Sequence, residues 1–145
     1  MTSLYSLDNP YYLETPITAR VDSYRVGSVM NYIYKHCPVF AYCLQKTNLD
    51  EWVNSADFNS TCFVPTEFYS KKYYHYFCSI NYDSARKLLL TNIIREKVPQ
   101  SDFYEQEYIP NYNKGYIRPE NVSIISSAEL DNGIVHVINN GFIPY

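Results

Sequence analysis

The stretch ELDNGIVHVINNGFIPY, Glu129 to Tyr145, sets an Asn-Gly pair before an apolar run, Ile134 to Ile138, that a single His136 interrupts. Upstream, Val122, Ile124, Ile125, Ala128 and Leu130 make a second apolar run. Two such runs joined by Asp131-Asn132-Gly133 predict a β-hairpin, since Asn and Gly both tolerate the positive φ of a type I′ turn. Side chains alternate along a strand, so Val135 and Val137 face one way and His136 the other. A catalytic base, a metal ligand and a structural histidine all fit that position.

Working outward, 145 residues suit one domain, and a domain of about 150 residues buries roughly 68 to 70% of its unfolded surface. Hydrophobic residues make up 46% and charged residues 19%, a globular balance. The 17 tyrosines supply broad amphipathic surface suited to protein contacts. A formal charge of -3 offers no footprint for nucleic acid, and Lys71-Lys72 beside Tyr73-Tyr74 is too short a basic cluster to make one. The N-terminus has neither a basic n-region nor an apolar h-region, and no run of 18 apolar residues occurs. No signal peptide and no membrane insertion are therefore expected. The expected location is inside a cell or within a particle, with secretion only if a leader is missing from this chain. Cys37, Cys43, Cys62 and Cys78 lack zinc-site spacing and read mostly as buried thiols.

Residues 1–21, with Pro10 and Pro16, read as an extended arm before a single domain at 22–145. Helices are predicted from Ser28, where Val29 and Ile33 share a face until Pro38, and again where Val39 pairs with Cys43 and Phe40 with Leu44. A third, short helix puts Leu49, Trp52 and Val53 on one side, with Trp52 as a core anchor. Thr61-Cys62-Phe63-Val64-Pro65 reads as a buried strand, and Thr66 as the cap of a turn into Glu67-Phe68-Tyr69. A helix from about Asp83 carries Ala85, Leu88 and Leu89 inward, and Asn92 to Val98 alternates like a strand. Residues 99–121 read as loops with one or two short strands. The sum is an α+β domain without the strand-helix repeat of a parallel sheet.

Two of these stretches together resemble the fasciclin (FAS1) domain. Asn132-Gly133-Ile134-Val135-His136-Val137-Ile138-Asn139 with Phe142-Ile143-Pro144 is similar to its C-terminal box, and Thr61-Cys62-Phe63-Val64-Pro65-Thr66-Glu67-Phe68 to its other box. The boxes stand about 70 residues apart in the family's order, and the resemblance covers about Asp22 to Tyr145. It implies a wedge in which a small twisted β-sandwich packs against several helices, with Thr61, Phe63, Pro65, Thr66, Asn132, Gly133, His136, Ile138 and Pro144 as structural box residues. It also makes His136 a buried histidine bonded to backbone or loop. Two departures limit it: Asn139 stands where Asp is common, and Asn92 and Ile93 replace the Tyr-His pair tied to integrin binding, so that kind of adhesion is not carried over.

His36 and His75 lie outside any motif, so no metal, cofactor or catalytic residue is expected, and no enzyme. A Cys62–His136 nucleophile pair is conceivable because both residues lie in the boxes, although an apolar strand favours the inert thiol. The resemblance implies a non-enzymatic, adhesion-like module for protein-protein interaction. Fasciclin-like domains also occur in large DNA viruses, and abundant Tyr, Asn, Ile and Lys is what AT-rich coding favours. A structural subunit of a larger assembly, such as a minor capsid or virion protein, is the expectation, with other proteins as partners partly through arm 1–21. The alternative is a carbohydrate- or lipid-binding domain of the fasciclin type. Sequons at Asn59 and Asn121 would matter only in the secretory pathway.

Overall fold

Helical segments and short strands alternate with a long buried strand pair in the computed structural model, which describes residues 24–144. The arm at 1–21 lies outside the described residues. Ser28 caps α1 (Val29–His36) by accepting from the Asn31 N–H at 3.1 Å, and Pro38 opens α2 (Pro38–Lys46) where a missing N–H costs nothing. Their buried faces are the ones the spacing predicts: Val29, Met30 and Ile33, then Val39, Phe40, Ala41, Cys43 and Leu44. In α3 (Asp50–Asn54) Val53 is buried, while half-buried Trp52 meets Phe58 and Tyr112 edge-on at 4.8 and 4.9 Å.

After β1 (Ser60–Pro65) come α4 (Glu67–Ser79), α5 (Tyr82–Thr91), β2 (Ile93–Ile94) and the single turn α6 (Gln100–Phe103). A two-stranded ribbon, β3 (Ile109–Pro110) with β4 (Tyr116–Ile117), precedes the hairpin β5 (Ile124–Leu130) and β6 (Gly133–Ile138). The main sheet runs β2-β1-β6-β5 and is mixed: β1 and β6 are parallel neighbours, with Cys62 level with Val135 and Phe63 level with His136. The protein is therefore α+β, with a mixed four-stranded sheet and a two-stranded ribbon among the described residues.

Every residue of β1 is buried, so the strand has a core on each face. Cys62, Val64 and Val135 join the helices in the larger core, whereas Phe63 and Ile138 join Ile94, Val98, Phe103, Ile109, Ile117 and Val122 in a smaller one. Burying a side chain such as Phe63 contributes about 1.5–3 kcal/mol. No helix among the described residues is long and apolar enough to cross a membrane.

Three expectations are corrected. The hairpin forms, but Asp131 and Asn132 are its turn residues and no residue of the turn has positive φ, so it is not type I′. Thr66 caps not a turn but the whole of α4, accepting from the Tyr69 N–H at 3.4 Å. Its inward stripe of Ser70, Tyr74 and Phe77 holds one polar and two aromatic groups, too faint an apolar signal to predict 13 helical residues. The strand over Asn92 to Val98 shrinks to Ile93–Ile94, which pairs with Thr61 and Cys62 of β1 and, through a single bridge from Ile94, with Asn111. The cysteines are mostly buried thiols, as expected: Cys37, Cys43 and Cys62 are buried, Cys78 is exposed, and none of the four is in a disulfide.

Candidate interaction surface

Apart from half-buried Thr66 and exposed Pro144, the structural box residues are buried at the β1–β6 pair. Gly133 is there for want of a side chain: a Cβ would lie 2.5 Å from the Ser60 carbonyl oxygen and 3.0 Å from Val29. Next to it the buried Asn132 amide joins three segments. Its Oδ1 accepts from the Val29 N–H at 2.8 Å, while Nδ2 donates to the carbonyls of Val53 and Ser55 at 2.9 and 2.7 Å. An orphan N–H at the start of α1 and carbonyls at the end of α3 are thus satisfied by the hairpin.

His136 is fully buried between the rings of Phe63 and Phe103, with centroids 5.3 and 6.1 Å away. Its Nε2 lies 2.8 Å from the Val98 carbonyl, which only a protonated Nε2 can bond, leaving Nδ1 to accept from the Ser127 hydroxyl at 2.6 Å. Burial holds its pKa below the usual histidine range, the Val98 bond opposing this in part. Thr61 fixes the same loop, donating to the Glu96 carbonyl at 2.6 Å and accepting from the Val98 N–H at 2.8 Å. Pro65 ends β1, the Thr66 N–H donates to Ile138, and Ile138 is buried.

Register separates Cys62 from His136. Cys62 points into the helix-side core with Val135, and His136 points the other way with Phe63, so the nucleophile pair does not form. Burial also pushes the Cys37 thiol up to about 12 and raises those of Cys43 and Cys62. No three His, Cys, Asp or Glu side chains among the described residues are grouped to hold a metal. Asn92 and Ile93 are buried as well. The Asn92 amide grips the C-terminal tail, accepting from the Ile143 N–H at 2.9 Å and donating to its carbonyl at 3.1 Å.

What these buried groups leave outside is α4. Phe68, Lys72 and Tyr76 repeat every fourth residue on its outer face, flanked by Tyr69 and Tyr73. Phe68 is 68% exposed and Tyr76 55%. The Tyr69 and Tyr73 rings stack at 6.3 Å, and Lys72 Nζ sits 5.8 and 5.5 Å from their centroids. Tyr73 and Tyr76 continue into a groove of about 640 Å³ with Leu88, Gly141 and the box residues Phe142 and Pro144. Phe142 anchors the groove floor by stacking 5.9 Å from both Phe40 and Phe77.

A second aromatic patch lies on the ribbon. Tyr108 and Tyr116 meet edge-on at 4.7 Å, both half or more exposed, and line a shallow hollow with Arg118. Sequence reasoning missed both patches as sites. For α4 the local signal was a Thr66 cap with Glu67 after it, while the inner stripe of Ser70, Tyr74 and Phe77 is too weakly apolar to mark the helix.

Compared with known proteins, the chain matches no family model, and no curated protein matches it.

Proposed function

We propose that this chain is a FAS1-like domain serving as a non-enzymatic protein-protein interaction module, a structural subunit of a larger assembly such as a minor capsid protein of a large DNA virus. The observation that carries the reading is the outer face of α4, where Phe68 and Tyr76 stay 68% and 55% exposed beside an apolar groove. Exposed aromatic groups rimmed by polar ones mark interaction sites, and tyrosine and arginine are enriched at them. The fasciclin wedge is supported by the two boxes becoming the parallel neighbours β1 and β6, and by helices on one face of the sheet. The virion setting is supported by the Tyr- and Asn-rich composition expected of AT-rich coding.

Gentle fractionation of the native source, with mass spectrometry of what travels with the full chain, tests the reading. Co-sedimentation with a large particle in fixed stoichiometry is the expected result. A free monomer there would sink it. The Tyr108–Tyr116–Arg118 patch supports a second reading, carbohydrate binding, in which ring faces stack on sugar C–H groups and the guanidinium bonds hydroxyls. Glycan screening would then show binding that Tyr116→Ala abolishes.

A further inference from the structure

We infer, independently of the assembly reading above, that the chain's own N-terminal segment docks on its own domain, residues 17–23 crossing the tyrosines of α2 as an extended strap that reaches Tyr74 of α4. The point of departure is fixed. Tyr24 is buried, and its hydroxyl donates to Asp50 Oδ2 and accepts from Gln45 Nε2, both at 2.8 Å, while its ring lies 6.3 Å from that of Tyr34. The chain upstream of Tyr24 is thus tethered beside the face of α2 that carries Gln45. Tyr42 lies on that same face one turn away, and its ring is 5.8 Å from that of Tyr74.

The segment is written for such a surface. From Ile17 to Asp22 apolar and polar residues alternate, so in an extended chain Ile17, Ala19 and Val21 share one face, with Thr18, Arg20 and Asp22 on the other. Half-buried Tyr34 and Tyr42 offer that apolar face a cover. Seven extended residues span about 23 Å, enough to pass from Tyr24 over Gln45 and Tyr42, about 5 Å apart along the helix, to Tyr74. Charge agrees with this course. Lys46 Nζ sits 5.5 Å over the Tyr42 ring, and the ion pairs among the described residues, Arg25–Asp131 and Arg118–Glu120, leave it out. The segment brings Asp8, Glu14 and Asp22 against one Arg20.

The tether decides between the chain's own segment and a neighbour's. A segment joined to the edge of the surface it covers competes at an effective concentration of about a millimolar, which a second copy in dilute solution does not match. A strap on α2 also sorts the aromatic surface: the tyrosines beside Tyr24 are covered from within, and Phe68 and Tyr76 on the outer face of α4 stay open to a partner.

Carbodiimide coupling of carboxylates to lysines in a mixture of unlabelled and isotope-labelled full chain, read by mass spectrometry, is the test. Amide links from Asp22 or Glu14 to Lys46 are expected, light with light and heavy with heavy only. In the same full chain, trypsin should cut after Arg20 about tenfold or more slowly than in a synthetic peptide of residues 11–24, because cleavage has to wait for the strap to open. Ile17→Ser with Val21→Ser should bring the rate up to that of a peptide carrying the same changes, and neither position belongs to the described core. Links that join light to heavy would give the surface to a second copy's segment and overturn the inference. So would the lack of any link to Lys46, or cleavage of the unaltered chain at the peptide's rate.

Discussion

The β1–β6 joint and helix α4 are opposites. At the joint, polar groups are buried and each is answered: the Asn132 amide makes three hydrogen bonds, and both ring nitrogens of His136 have partners. On α4, apolar groups are exposed and Phe68 is 68% in solvent. An unmet buried polar group costs about 1–3 kcal/mol, so the chemistry at the joint is held there by stability. Exposed rings add little to the isolated fold beyond local contacts such as Phe68–Tyr69 and Tyr69–Tyr73, so a patch of them marks a candidate contact surface. The comparison therefore separates residues held in place by stability from aromatic residues that the fold leaves in solvent.

The sharpest way to break that separation is Gly133→Ala. Its Cβ would meet main-chain oxygen at 2.5 Å, not the end of a flexible side chain, so about 3 kcal/mol or more of stability should vanish in chemical denaturation. A loss under about 1 kcal/mol would mean that β1 and β6 can part at no great cost, and the joint would not be the rigid centre described.

Asn132→Ala should cost about 2–3 kcal/mol, because the Val29 N–H and the Val53 and Ser55 carbonyls lose their partner together. Asn132→Asp sharpens the reading: it keeps the bond to Val29 and loses both donations, so it should recover only part of the stability. Full recovery would show that the two carbonyls are satisfied without it.

His136→Ala should cost about 1–3 kcal/mol by stranding Val98 and Ser127. It should also alter the pH dependence. The folded chain binds the His136 proton less readily than the unfolded chain, whose histidine titrates near 6.5, so stability falls as pH drops below that value. His136→Gln should flatten this slope. Glu67, raised by burial, acts in the opposite sense: its contribution is present at low pH and is lost as pH rises through its folded pKa. A wild-type slope retained in His136→Gln would remove His136 as its source.

The smallest expected effect on stability is at α4. Phe68→Ser should shift unfolding by no more than about 0.5 kcal/mol, while any binding through this face should weaken. A loss of about 2 kcal/mol in the free protein would erase the contrast with the joint.

Much of the architecture was legible in residue order. Val29 with Ile33 and Val39 with Cys43 announce α1 and α2, since a helix must bury one stripe, and Asn132-Gly133 announces a hairpin. The reason for that Asn-Gly was not legible. Positive φ is a local property that sequence can signal, whereas the approach of Ser60 to Gly133 joins residues far apart in the chain. The same holds for Asn92, whose amide serves the Leu88 carbonyl of its own helix but also reaches the distant Ile143. Helix α4 was missed because its inward stripe is written in Ser, Tyr and Phe, which are inner residues only once α2 supplies Tyr42 as a neighbour.

The sequence by itself determined the α+β class, the helical stripes, the hairpin and the histidine set in an apolar strand, because each depends on spacing within a few residues. Only the tertiary structure decided that Cys62 and His136 face apart, that Asn132 is a joint rather than a turn, and that the tyrosines of α4 end up outside. Those outcomes depend on which distant segments become neighbours: the parallel register of β1 with β6 turns Cys62 and His136 apart, and the packing of Tyr74 on Tyr42 sets the inner side of α4.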